Sequence, residues 1–118
     1  MRIVKRLILM SLLTSCLAQV QITGTATLNG TVQLMAGGSH SVNLTWQGTQ
    51  GQYITFRIYR STTSGTGYVM VQSSITGLSF TDLNVNNSTT YYYVATAFDS
   101  STNSESAYSN QVTATIPN

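Results

Sequence analysis

From residue 20 to residue 34 the chain alternates without a break. Val20, Ile22, Gly24, Ala26, Leu28, Gly30, Val32 and Leu34 occupy the even positions, and glutamine, threonine or asparagine fills every odd one. Only an extended strand places alternate residues on opposite faces, so this stretch reads as β structure with one apolar and one polar face. Fully extended it would reach about 50 Å at roughly 3.3 Å per residue, more than one sandwich edge needs. The Asn29-Gly30 pair suggests a two-residue hairpin, but that turn would set Leu28 against Thr31 and Ala26 against Gln33 and mix the two faces. A continuous strand is expected instead. It has two uses: a spacer whose last residues enter the first strand of a domain, or strand exchange, in which Val20, Ile22, Leu28, Val32 and Leu34 complete the sheet of a neighbouring copy or a partner. Gly37-Gly38 then punctuates the chain, which divides it into an extended segment, residues 19–38, and a domain, residues 39–118.

Upstream, Arg2, Lys5 and Arg6 precede an apolar run over residues 7–13, too short to span a bilayer but suited to the centre of a secretory signal, so residues 1–18 are read as a signal peptide. Two cuts fit. Residues 13–16, Leu-Thr-Ser-Cys, resemble the lipobox of bacterial lipoproteins, which would make Cys16 a lipidated amino terminus; cleavage after Ala18 would instead leave Gln19 first. Either way no cysteine follows residue 16, so a disulfide framework and thiolate chemistry are excluded downstream. The expected location is outside the cell or in the outer envelope of a bacterium. Contact with the membrane is expected only through the signal or a lipid anchor.

Beyond Gly38, short runs rich in β-branched and aromatic residues are separated by Gly, Asn and Ser clusters, the pattern of an all-β sandwich. Val42, Leu44 and Trp46 form one inward set, and Phe56 and Ile58 a second. Tyr91, Tyr93, Ala95 and Ala97 alternate against Tyr92, Val94 and Thr96, and Val112, Ala114 and Ile116 close the last strand. In Val-Asn-Leu-Thr-Trp at 42–46, Phe-Arg-Ile-Tyr-Arg-Ser at 56–61, Phe-Thr-Asp-Leu at 80–83 and Ala-Tyr-Ser-Asn-Gln-Val at 107–112, the sequence resembles a bacterial secreted fibronectin type III domain. The resemblance implies a seven-stranded, immunoglobulin-like β-sandwich with sheets of three and four strands. It also implies a tyrosine corner at Tyr91, whose hydroxyl bonds back to upstream backbone, and a structural role for Trp46. Asn87 stands where the family usually has proline.

Chemistry finds little to work with. After residue 18 the chain holds His40, Asp82, Asp99 and Glu105 against Arg57 and Arg60. That stock supplies no catalytic constellation and no cofactor or metal set. Two separated arginines against three carboxylates also exclude nucleic acid as a partner. His40 is expected as a surface cap, Asp82 as a side-chain bond to turn backbone, and Asp99, Asn103 and Glu105 as a polar turn rather than a calcium loop. The sequons at Asn29, Asn43, Asn86 and Asn87 are expected by chance in a chain this rich in Asn, Ser and Thr.

One cluster stands out. Arg57 and Tyr59 point outward from one strand and Tyr92 and Val94 from the strand beside it, forming an exposed aromatic patch of the kind enriched in binding hot spots; Phe98 and Tyr108 either extend it or close the end of the sandwich. The chain is therefore expected to be a non-enzymatic exported module that binds a protein or glycan at the cell surface. The alternative is a structural subunit that self-assembles by strand exchange.

Overall fold

A computed structural model describes residues 28–118. The signal segment, Cys16, Val20 and Ile22 lie outside the described residues. Two antiparallel sheets face each other. The first joins β1 (Leu28–Leu34), β2 (His40–Trp46) and β5 (Ser79–Asp82) in the order β1-β2-β5. The second joins β4 (Val69–Ile75), β3 (Ile54–Ser61) and β6 (Thr90–Asp99), with β7 (Ser104–Glu105) and β8 (Val112–Thr115) both paired to β6.

Period two dictates which residues meet between the sheets. Leu28 on β1, Val42, Leu44 and Trp46 on β2, Phe56 and Ile58 on β3, Tyr91, Tyr93, Ala95 and Ala97 on β6, and Ala114 and Ile116 at the end of the chain form one buried cluster. The Trp46 and Phe56 rings pack at 5.6 Å across the sheets. Asn29-Gly30 makes no turn: β1 runs straight through it in unbroken register with β2.

The domain boundary drawn at Gly37-Gly38 is corrected by this pairing. Those glycines, both at φ +83°, form the connection between β1 and β2, so residues 28–34 belong to the sandwich itself. His40 also departs from expectation. It is buried at the start of β2, where its Nδ1–H donates to the Asn87 Oδ1 at 2.9 Å, and so it holds the loop before β6 rather than capping the surface.

The seventh strand is broken in two. Between β7 and β8 the chain lifts off β6, and the serines at 106 and 109 replace the lost ladder. The Ser106 N–H donates to the Ala97 carbonyl while the Ser106 Oγ accepts from the Ala97 N–H at 2.9 Å; Ser109 repeats the arrangement on Ala95. Each serine thus satisfies a donor and an acceptor that a regular strand would have paired. Nearby, the Tyr91 hydroxyl accepts from the Asn86 N–H at 3.0 Å, and Asp82 accepts the Asn84 N–H at 3.0 Å.

The two sides of the sandwich differ. On one, the Asn110 amide bonds the Leu28 N–H and C=O at 2.8 and 3.0 Å, as a neighbouring strand would. Gly30 there lets the Val112 and Leu44 side chains approach so closely that a Cβ would meet them at 2.8 and 3.0 Å. On the other side, β4 and β5 end their sheets with a groove of about 320 Å³ between them.

Candidate functional site

The outward face of the second sheet carries the densest set of surface interactions. In register, Tyr59 on β3 lies beside Val94 on β6, and Arg57 lies beside Thr96. Where β7 is still paired, Glu105 comes alongside Phe98. Glu105 therefore sits where three side chains converge. Arg57 Nη1 donates to its Oε1 at 2.8 Å, Thr96 Oγ1 to its Oε2 at 2.6 Å, and the Tyr59 hydroxyl to the same Oε2. The Arg57 guanidinium also lies 3.9 Å from the centre of the Phe98 ring, a cation–π contact that keeps its plane against the sheet. Burial, and then the bond to and negative charge of Glu105, raise the Tyr59 pKa above its ordinary value, so the phenol remains a donor at neutral pH.

The break in the last strand shapes the rest of the face. Because residues 106–109 bulge away from β6, Tyr108 leans back over the sheet. Its ring meets Tyr59 edge-on at 5.3 Å and Tyr68 edge-on at 5.2 Å. Gln111 fixes the far end. Its Oε1 accepts from the Tyr68 hydroxyl and from the Gly65 N–H at 2.8 Å, and its Nε2 donates to Ser64 at 3.2 Å. The result is a row of three tyrosines, Tyr59, Tyr108 and Tyr68, drawn from three segments of the chain. Tyr108 at its centre is 49% exposed.

Of the four residues expected on this face, Arg57 and Tyr59 belong to the cluster, and Tyr92 is half-buried farther along β6, opposite Ser61 and Thr113. Val94 is corrected. It is 2% exposed, because Tyr59 from one side and Tyr108 from the other meet across β6 at its position, and it cannot contact a partner. Thr96 is buried too, beside Arg57 and bonded to Glu105. Sequence reasoning left Tyr108 unplaced and read Glu105 as part of a polar turn. It missed Tyr68 and Gln111. The signal available was Ser-x-x-Ser at 106–109, which marks where the strand departs from the sheet and carries the tyrosine between the serines onto the face.

The other polar centre is internal. Asp82, 3% exposed, accepts from Arg60 Nη1 at 2.6 Å and from the Tyr93 hydroxyl at 2.8 Å. Burial first and Asp82 second push the Tyr93 pKa upward. Burial opposes the Arg60 charge, yet Asp82 outweighs it and the Arg60 pKa is raised. At the end of β6, the Ser101 hydroxyl bonds Asp99 at 2.6 Å and lowers its pKa, closing a local turn. Among the described residues, no three His, Cys, Asp or Glu side chains are grouped to hold a metal ion.

No family model matches the sequence. A 77-residue stretch is 39% identical to part of an amylopullulanase from Thermoanaerobacter thermohydrosulfuricus, covering 65% of this chain and 5% of that enzyme. An Fn3-like protein from Clostridium thermocellum superposes with a TM-score of 0.66 at 29% identity, over 81% of this chain and 94% of that one. A fibronectin type III domain of human fibronectin type III domain containing protein 3 superposes with a TM-score of 0.57 at 22% identity, over 80% and 88%. The chain thus spans only about a twentieth of that enzyme's length.

Proposed function

Taking as premise that residues 28–118 form a fibronectin type III sandwich, we propose that the protein is a non-catalytic exported module that binds a neutral polysaccharide through the tyrosine row of its second sheet. The supporting observation is the row itself: Tyr59, Tyr108 and Tyr68 in edge contact, with Arg57 and Glu105 beside them. Tyrosine rings offer sugar rings an apolar face and hydroxyls at little entropic cost, because each has only two side-chain torsions to fix. Charge selects among glycans. Arg57 is paired with Glu105 at 2.8 Å, so the face has no free cation to attract a polyuronate and suits an uncharged glucan. The match to part of an amylopullulanase supports an α-glucan as the first glycan to test. The signal-like residues 1–18 support export, in keeping with a polymer found outside the cell.

Native affinity electrophoresis in gels cast with soluble starch, pullulan or polygalacturonate tests the reading. Retardation by starch or pullulan, lost in Tyr108→Ala, is expected. Equal mobility in all three gels, or retardation unchanged by Tyr108→Ala, would overturn it.

A further inference from the structure

The register shows which backbone groups border the open side. The Leu28 N–H and C=O bond Asn110, so the even residues of β1 turn their polar groups away from β2. β2 then bonds β1 through Ser41, Asn43 and Thr45, and bonds β5 through Val42 and Leu44, in keeping with the Trp46 N–H donating to the Leu78 carbonyl at 3.1 Å. On β5, the groups turned away from β2 are those of Ser79 and Thr81. Of these, Thr81 borders the groove, whose wall is Val71, Phe80 and Leu83 and whose floor holds the Arg60–Asp82 pair. Leu83, Val69 and Met70 stand 60%, 67% and 43% exposed along this side. Across the groove, β4 is a poor template for pairing. Its register with β3 shifts twice, and Ser74 sits at φ +58°. The opening therefore offers one row of backbone donors and acceptors, on β5, beside an apolar wall.

We propose that residues 20–26 of a second copy fill this groove as a strand added to β5. The occupant is argued from the sequence outside the described residues. Val20, Ile22, Gly24 and Ala26 alternate with Gln21, Thr23 and Thr25, so one face suits Val71 and Phe80 while the other suits water beside Thr81. The alternation enters β1 without a change of phase, the pattern of one continuous strand. β1 begins at Leu28, opposite Trp46, and is separated by β2 from β5 and the groove that β5 borders. The eight residues from 20 to 27 span roughly 26 Å, enough to lie along a neighbour's β5. Donor and acceptor are different surfaces, so the contact is head-to-tail and joins more than two copies, into open chains or closed rings. This inference goes beyond the glycan reading and uses the open side between the two sheets, away from the tyrosine row.

Cross-linking of the full chain, expressed and exported, tests it. Gln21→Cys, Thr23→Cys and Thr25→Cys are each combined with Thr81→Cys, because residues opposite each other on one face of paired strands approach within disulfide reach. In at least one combination, oxidation is expected to give a ladder of covalent oligomers whose disulfide peptides join residue 81 to the introduced amino-terminal cysteine, and adding Ile22→Ser is expected to abolish it. A monomer carrying that disulfide within one chain would overturn the second copy as donor. Free thiols in all three combinations, or a ladder joined only 81 to 81, would overturn the groove as acceptor. Starch retardation of the same variants is read in parallel. Its persistence without a ladder would leave the glycan reading standing and remove this one alone.

Discussion

The two sides of this sandwich use the same materials to opposite ends. On the closed side, a single amide at Asn110 bonds both polar groups of Leu28, and a glycine at 30 lets the last strand settle against β1. On the open side, β4 is bulged, β5 has only four residues, and aliphatic side chains face solvent around a groove. The difference teaches that edges are managed one at a time. A polar clasp seals an edge as well as a strand does, whereas a bulge only discourages pairing. What keeps the open side from collapsing is its floor, where Asp82 binds Arg60 and Tyr93 together.

Substitutions can break this contrast. The largest effect is expected at the floor of the open side. Asp82→Ala removes the acceptor of Arg60, of the buried Tyr93 hydroxyl and of the Asn84 N–H, and should cost about 3 kcal/mol in urea unfolding. Asn110→Ala strands the N–H and C=O of the buried Leu28 and should cost about 2 kcal/mol by the same measurement. Tyr93→Phe sharpens the picture through pH. The raised pKa of Tyr93 means that an unfolded chain ionises first, so its contribution to stability is complete below about pH 10 and is lost as pH climbs towards the folded value. Relative to the parent, Tyr93→Phe should be about 1 kcal/mol weaker at neutral pH and should lose less stability above pH 10, as thermal melts across that range would show. The smallest effect belongs to the lip of the groove. Leu83→Ser, at a side chain already in water, should stay within about 0.5 kcal/mol of the parent.

Much of this fold is legible in the sequence because period two and burial agree. Val42, Leu44 and Trp46, Phe56 and Ile58, and the odd positions of β6 all point inward where their alternation places them. The rest depends on who sits next to whom, which alternation does not encode. Val94 has the phase of a surface residue, and only the meeting of Tyr59 and Tyr108 above it makes it buried. His40 stands among serines and resembles a surface residue until Asn87, far along the chain, supplies its partner. Gly37-Gly38 looks like a boundary between domains because a tight connection and a linker favour the same residue. The tyrosine row was half visible. Arg57 and Tyr59 follow from strand phase, but Tyr108 joins them only because the last strand breaks and serine hydroxyls replace its ladder, Glu105 because β7 pairs with β6 beside Phe98, and Tyr68 because Gln111 holds its hydroxyl.

The most direct measurement of the tyrosine face is the change in backbone amide NMR shifts of the protein as a linear maltooligosaccharide is added. Saturable shifts concentrated at residues 57–59, 64–68 and 105–111 are expected, with the groove between β4 and β5 unaffected. Shifts centred on residues 69–72 and 79–84, or none at millimolar sugar, would contradict the assignment of glycan binding to this face.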